Sequence, residues 1–194
     1  MSLPETRKEV QHKAVFLDRD GTINVEVNYL SRVKDFKMLQ GVPEAIRALR
    51  QHGYKIIVVT NQSGITRGFY SEADVAAIHA RMAHELDEYG TQIDAIYYCP
   101  HAPGDGCDCR KPAAGLYVRA ALDLNLDLAT SFCVGDKLSD LTPAQRLGCR
   151  TVLVLTGHGA VEAGRVNAHT VQPDLITADL ASASAWIMDQ LEKP

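Results

Sequence analysis

Short, mainly apolar runs alternate along this chain with longer segments whose apolar residues recur every three or four places. The runs Ala14–Leu17, Lys55–Thr60, Ile93–Cys99, Ser131–Gly135, Thr151–Leu155 and Asp174–Thr177 are bounded by turn residues. An unbroken apolar run of that length reads as a strand buried on both faces. The periodic segments Val42–Gln51, Glu72–Tyr89, Gly115–Asn125, Leu138–Leu147 and Leu180–Gln190 read as amphipathic helices. Strands alternating with helices predict a doubly wound, mainly parallel α/β sheet, and the 194 residues are expected to form a single domain over 1–194.

Sheets of this kind bind ligands outside the carboxyl ends of their strands. The first run leads into Asp18-Arg19-Asp20-Gly21-Thr22, the second into Thr60-Asn61-Gln62-Ser63-Gly64, and the fourth into Asp136-Lys137 with Asp140 nearby. Aspartates are common in turns and helix caps, so each alone means little. On matching strand ends, Asp18, Asp20 and Asp136 would repel one another unless a hard cation joined them. Mg²⁺ takes one or two carboxylates and leaves room for a phosphate oxygen. The hydroxyl and amides of 60–63 could cradle that phosphate, although the same stretch also reads as an ordinary strand-to-helix turn. Lys111, just before a helix, could neutralise its charge.

The third run enters CPHAPGDGCDCRK, residues 99–111. Cys99-x-His101 and Cys107-x-Cys109 are separated by a five-residue turn that can fold one pair onto the other. Three thiolates and an imidazole suit a closed tetrahedral Zn²⁺ site of structural type. Its formal charge is −1, which Arg110 and Lys111 would offset while facing the strand-end site. Five cysteines, an odd number, with three of them in one window, argue for metal in a reducing compartment over disulfides.

These pieces, in this order, resemble the haloacid dehalogenase (HAD) superfamily, a Rossmannoid fold. The matches are Asp18–Thr22, Thr60, Lys111 and Gly135-Asp136 with Asp140. The resemblance implies that Asp18 is the nucleophile and Asp20 the general acid and base. It places Mg²⁺ between the Asp18 carboxylate, the Asp20 backbone carbonyl and Asp136, with Thr60 and Lys111 on the phosphoryl oxygens. The stretches LDRDGTIN (17–24), VTNQSGITRG (59–68), YYCPH (97–101) and VGDKL (134–138), with the cysteine loop, are similar to a group without a large cap domain. It comprises the heptose-1,7-bisphosphate 7-phosphatases and the histidinol-phosphatases. The former release the 7-phosphate through an aspartyl-phosphate on the route to nucleotide-activated heptose. By position, Glu26, Val27, Asn28, Tyr29, Thr60, Asn61, Gln62 and Ser63 would line the sugar pocket, Arg110 would recognise substrate and Lys137 would contact phosphate. A histidinol-phosphatase is expected to carry aspartate where Ser63 stands, and a non-catalytic zinc domain would be expected to lose Asp18 or Asp20.

Composition narrows the partners. Apolar residues make up 46% and charged residues 23%, which excludes disorder, collagen and coiled coil. A net charge of −4 and a pI near 5.9 speak against nucleic acid. No run approaches the roughly 20 apolar residues of a membrane span, and MSLPETRKEVQHK lacks the apolar core of a secretory signal. A cytoplasmic monomer acting on a small phosphorylated sugar is the expectation. Tyr97 and Tyr98, on opposite strand faces, read as packing for at least one of them. His79 and His84 read as surface or packing residues, and Trp186 as core.

Overall fold

The computed structural model describes residues 11–167 and 170–190. The polar N-terminal stretch lies outside the described residues up to Val10. Six strands, β1 (Ala14–Leu17), β2 (Lys55–Asn61), β3 (Ala95–Cys99), β4 (Phe132–Gly135), β5 (Arg150–Val154) and β6 (Leu175–Thr177), form one sheet. Their order is β3-β2-β1-β4-β5-β6, and every pairing is parallel. The order reverses direction beside β1, so the ends of β1, β2 and β4 open onto one crevice.

Alternation along the strands divides the core in two. Val15, Leu17, Ile56 and Val58 face a layer with α1 (Val42–Gln51), α2 (Glu72–Glu88) and α6 (Leu180–Asp189). Phe16, Ile57 and Val59 face the opposite layer with α3 (Gly115–Asp123) and α4 (Leu138–Arg146). Burial on both sides is why these strands read as unbroken apolar runs. Helix α2 starts at a capping box: the Asp74 amide donates to Ser71 Oγ at 3.2 Å and the Ser71 amide to Asp74 Oδ2 at 2.8 Å.

Observed element ends agree with the expected ones to within two residues. β3 begins at Ala95 because Asp94 is occupied before it. The Asp94 carboxylate accepts from the Ile56 amide at 2.8 Å and pairs with Arg50 and Lys55. α3 stops before Asn125, whose φ of 49° is left-handed. A short helix, α5 (Gly159–Ala163), was not expected; five residues between glycines are too few to show a period. Trp186 is half-buried at the core margin, edge-on to Phe132 with the Arg150 guanidinium 4.5 Å from its ring. Among the described residues no extra layer of helices or strands covers the carboxyl ends of the strands, and no helix is long and apolar enough to cross a membrane.

Candidate active site

The strand ends meet in a cleft of about 420 Å³. Its walls include Asp18, Asp20, Glu26, Val27, Asn28, Tyr29, Thr60, Asn61, Gln62, Ser63, Arg110, Lys111 and Lys137, so residues far apart in sequence converge as expected. Asp136 is fully buried behind them.

Lys111 is the centre of the charge arrangement. Its ammonium donates to Asp18 Oδ1 at 2.8 Å and the Val59 carbonyl at 2.7 Å, and pairs with Asp140 Oδ1 at 2.8 Å. Burial alone would lower its pKa, but Asp140 and Asp18 outweigh that and hold it well above the ordinary lysine value. Asn61 fixes the backbone beneath it: the Lys111 amide donates to Asn61 Oδ1 and the Asn61 amide group to the Lys111 carbonyl.

Ligating oxygens of Asp18, Asp136 and Asp140 lie within 4.8 Å of one another. Burial, then the charges of Asp18 and Asp140, push the Asp136 carboxyl up to about 8. Burial likewise lifts Asp140 to about 6, against the pull of Lys111. The two differ in what remains free. Asp140 Oδ1 is held by Lys111 and Oδ2 accepts from the Lys137 amide at 3.0 Å. Asp136 Oδ2 accepts from the His158 amide at 2.8 Å, whereas its buried Oδ1 has no partner among the described protein groups. An orphaned buried carboxylate oxygen between two like charges is the environment a hard cation requires. Gly21 permits this approach: a Cβ there would lie 2.2 Å from Asp136 Oδ2.

Asp20 faces away from that cluster. Its carboxylate accepts from Arg19 Nη2 at 2.7 Å, Asn24 Nδ2 at 3.0 Å and Gln62 Nε2 at 3.0 Å. Burial would raise its pKa, yet the Arg19 guanidinium and these hydrogen bonds bring it below the usual carboxylate range. The arrangement leaves the Asp20 backbone, not its side chain, as the part able to reach a cation beside Asp18.

Arg19 and Asn24 were not singled out from the sequence, and both are fully buried. Arg19 Nη1 lies 3.2 Å from His79 Nε2, which must accept because a guanidinium only donates. Burial, then the Arg19 charge, lowers the His79 pKa to about 4, so the ring stays neutral. His79 is thus a packing residue with a polar duty, while His84 is exposed. Tyr98 lies edge-on to His79, and Tyr97 donates to Asp123 Oδ2 at 3.0 Å on the other face. Leu30, Tyr70, Ser139 and His158 also line the cleft without having been expected there. His158 had a signal, since it follows the end of β5. Its Nε2 lies 3.4 Å from Glu26 Oε2, which also holds Lys137 at 3.1 Å. Burial would lower the Lys137 pKa, but the carboxylates around it, Asp136 first, raise it to about 12.

The loop after β3 gathers Cys99, His101, Cys107 and Cys109. Cys99 Sγ lies 3.6 Å from His101 Nδ1, 3.7 Å from Cys107 Sγ and 3.1 Å from Cys109 Sγ; His101 Nδ1 and Cys109 Sγ are 3.2 Å apart. A tetrahedron with Zn–S bonds of about 2.3 Å has S–S edges of roughly 3.8 Å, so the four atoms fit one ion. Burial and the neighbouring thiol of Cys109 push Cys99 up to about 12, and a cation among them would allow all three to ionise. Arg110 Nη1 donates to the His101 carbonyl at 3.1 Å, tying this loop to the cleft wall.

A family model described as haloacid dehalogenase-like hydrolase matches residues 15–92, and a second, HAD-hydrolase-like, matches 108–183. The D-glycero-beta-D-manno-heptose-1,7-bisphosphate 7-phosphatase of Haemophilus ducreyi is 47% identical over 172 residues, covering 84% of this chain and 94% of its own. The chain belongs to the heptose-1,7-bisphosphate 7-phosphatase family of HAD-like hydrolases. A Thermosynechococcus vestitus family member is 41% identical over 92% of this chain and 96% of its own. The D,D-heptose 1,7-bisphosphate phosphatase of B. bronchiseptica, solved with magnesium and phosphate, superposes with a TM-score of 0.86 at 36% identity. That match covers 92% of this chain and 99% of the other. The family assignment agrees with the capless parallel sheet and with the Cys/His cluster.

Proposed function

We propose that this chain removes the 7-phosphate from D-glycero-D-manno-heptose 1,7-bisphosphate with Asp18 as nucleophile and Asp20 as general acid and base. The observation that supports this reading is the convergence of Asp18, Asp20, Thr60 and Lys111 on one cleft, backed by the orphaned Asp136 oxygen.

Phosphoryl transfer is largely positioning and charge stabilisation. Lys111 fixes Asp18 through Oδ1 and presents positive charge where phosphoryl oxygens gather; Thr60 adds a hydroxyl donor. The Asp18 carboxylate attacks phosphorus, forming an acyl-phosphate bond as the bond to the sugar oxygen breaks. Asp20 gives its proton to that leaving oxygen, then takes one from the water that hydrolyses the aspartyl-phosphate. A carboxyl held below its usual pKa suits the second step. For the first, a bound phosphate dianion drives the pKa upward again by like-charge repulsion. Mg²⁺, held by Asp18, Asp136 and the Asp20 backbone carbonyl, would supply charge neutralisation for the transferring group. Cys99, His101, Cys107 and Cys109 would hold Zn²⁺ in a structural role, which would keep Arg110 and Lys111 in place.

Glu26, Val27, Asn28, Tyr29, Asn61, Ser63, Arg110 and Lys137 wall the space left for the sugar and its second phosphate, with Lys137 paired to Glu26. Phosphate release from the heptose 1,7-bisphosphate anomers and from histidinol phosphate, each with Mg²⁺, tests the reading. Efficient turnover of the bisphosphate alone is expected; comparable kcat/KM on histidinol phosphate would overturn it.

A further inference from the structure

Gln62 borders the cleft, but only 1% of it is exposed and both ends of its amide are engaged by protein. The orientation is fixed by chemistry. A carboxylate can only accept, so the end facing Asp20 Oδ2 at 3.0 Å is the NH₂ group. That leaves Oε1 for Tyr70, whose hydroxyl donates to it at 2.8 Å. The Tyr70 ring reaches this place because residue 64 is glycine: a Cβ there would lie 2.2 Å from its Cε1. The second amide hydrogen goes to Thr60 Oγ1 at 2.9 Å. Since Thr60 accepts from Gln62 and its hydroxyl hydrogen finds no acceptor among the described protein groups, that hydrogen is free to point into the cleft.

We propose that Gln62 is a positioning residue for the chemistry and not a sugar contact. It ties the proton-carrying carboxyl of Asp20, after β1, to the phosphoryl-holding hydroxyl of Thr60, on β2, so both meet the scissile ester at a fixed separation. The inference rests on the phosphatase reading above. It also names the substrate class the geometry serves: alkyl phosphate esters, whose alkoxide leaves poorly without a proton. An aryl phosphate such as 4-nitrophenyl phosphate, with a stable leaving anion, depends far less on that proton.

The test is Gln62→Met, close in length but unable to donate. General acid–base catalysis contributes about 10²–10⁴-fold, and losing its alignment should forfeit about 10- to 100-fold of kcat/KM on the heptose bisphosphate. The loss should appear in kcat, and the loss on 4-nitrophenyl phosphate should be at least about tenfold smaller. Gln62→Asn, which keeps the amide but withdraws it by one methylene, should show the same split and decides the matter should Gln62→Met fail to fold. Equal kcat/KM losses on both esters would overturn the alignment of the Asp20 proton by Gln62, and a raised KM with kcat unchanged would overturn its positioning role altogether, either leaving the phosphatase reading intact. An unmodified enzyme that releases no phosphate from the bisphosphate would overturn both.

Discussion

A lysine ammonium shut away from water survives only if acceptors close on it, and Lys111 has Asp18, Asp140 and the Val59 carbonyl. Removing it by Lys111→Met should destabilise the protein by about 3–5 kcal/mol, as for other broken buried pairs, with part of the loss recovered on adding Mg²⁺. Urea unfolding with and without the cation measures both. Asp18→Asn is nearly isosteric, so its thermal midpoint should stay near that of the native chain while phosphate release falls to background. Substantial residual turnover there would remove the aspartyl-phosphate route. The carboxylates also make stability depend on pH. Asp136 titrates near 8 and Asp140 near 6 in the metal-free fold, both above the unfolded value of about 4. Between about pH 4 and 8 these two carboxyls therefore hold more protons in the fold than in the unfolded chain. Neutral His79 offsets part of this below about pH 6.5, so metal-free stability falls most clearly as pH rises from about 6.5 to 8. Mg²⁺ should raise the melting temperature more at pH 8 than at pH 5.5; an equal or smaller rise at pH 8 would contradict this charge arrangement. At this scale Asp18, Asp20, Asp136, Thr60 and the zinc quartet were legible because they follow apolar runs or cluster by spacing, whereas Lys111, a lone lysine before a helix, gained its place only from the family resemblance. Arg19 was not legible. Nothing in Asp-Arg-Asp tells that the middle side chain turns inward to hold the second carboxylate, since a partner on α2, His79, completes its surroundings.

Among the elements, the inner strands β1, β2, β4 and β5 declared themselves through two-sided burial, and the helices through one apolar face. What escaped was a part with no period, α5; the stretch from Pro100 to Ala114, read from its cysteines as a zinc-ordered loop, has neither helix nor strand. A loop of that kind relies on its cross-links for shape. Elemental analysis should find about one zinc per chain. Cys107→Ser should lose it, expose residues 102–106 to proteolysis, and lower kcat/KM on the bisphosphate, since Arg110 is tethered to His101 and Lys111 follows directly. A variant free of zinc yet resistant to protease and fully active would show that the loop holds itself.

For the molecule as a whole, the two core layers share one sheet, and every strand pairs with its neighbours in parallel. Neither layer can lose its packing without exposing the other through β1 and β4. Thermal unfolding followed by near- and far-ultraviolet circular dichroism should therefore give one coincident transition; two separated transitions would divide the chain into independent units. The same architecture keeps two kinds of residue on different supports. The groups assigned to the chemistry sit at the ends of β1, β2 and β4 or are pinned to them, as Lys111 is by Asn61 and Val59. Most of those facing the sugar, Glu26 to Tyr29 and Arg110, ride on loops that rise from the sheet without belonging to it. Such a division makes the molecule modular for inheritance: exchanging two surface loops can redirect which phosphate ester is chosen while the engine beneath is passed on unchanged.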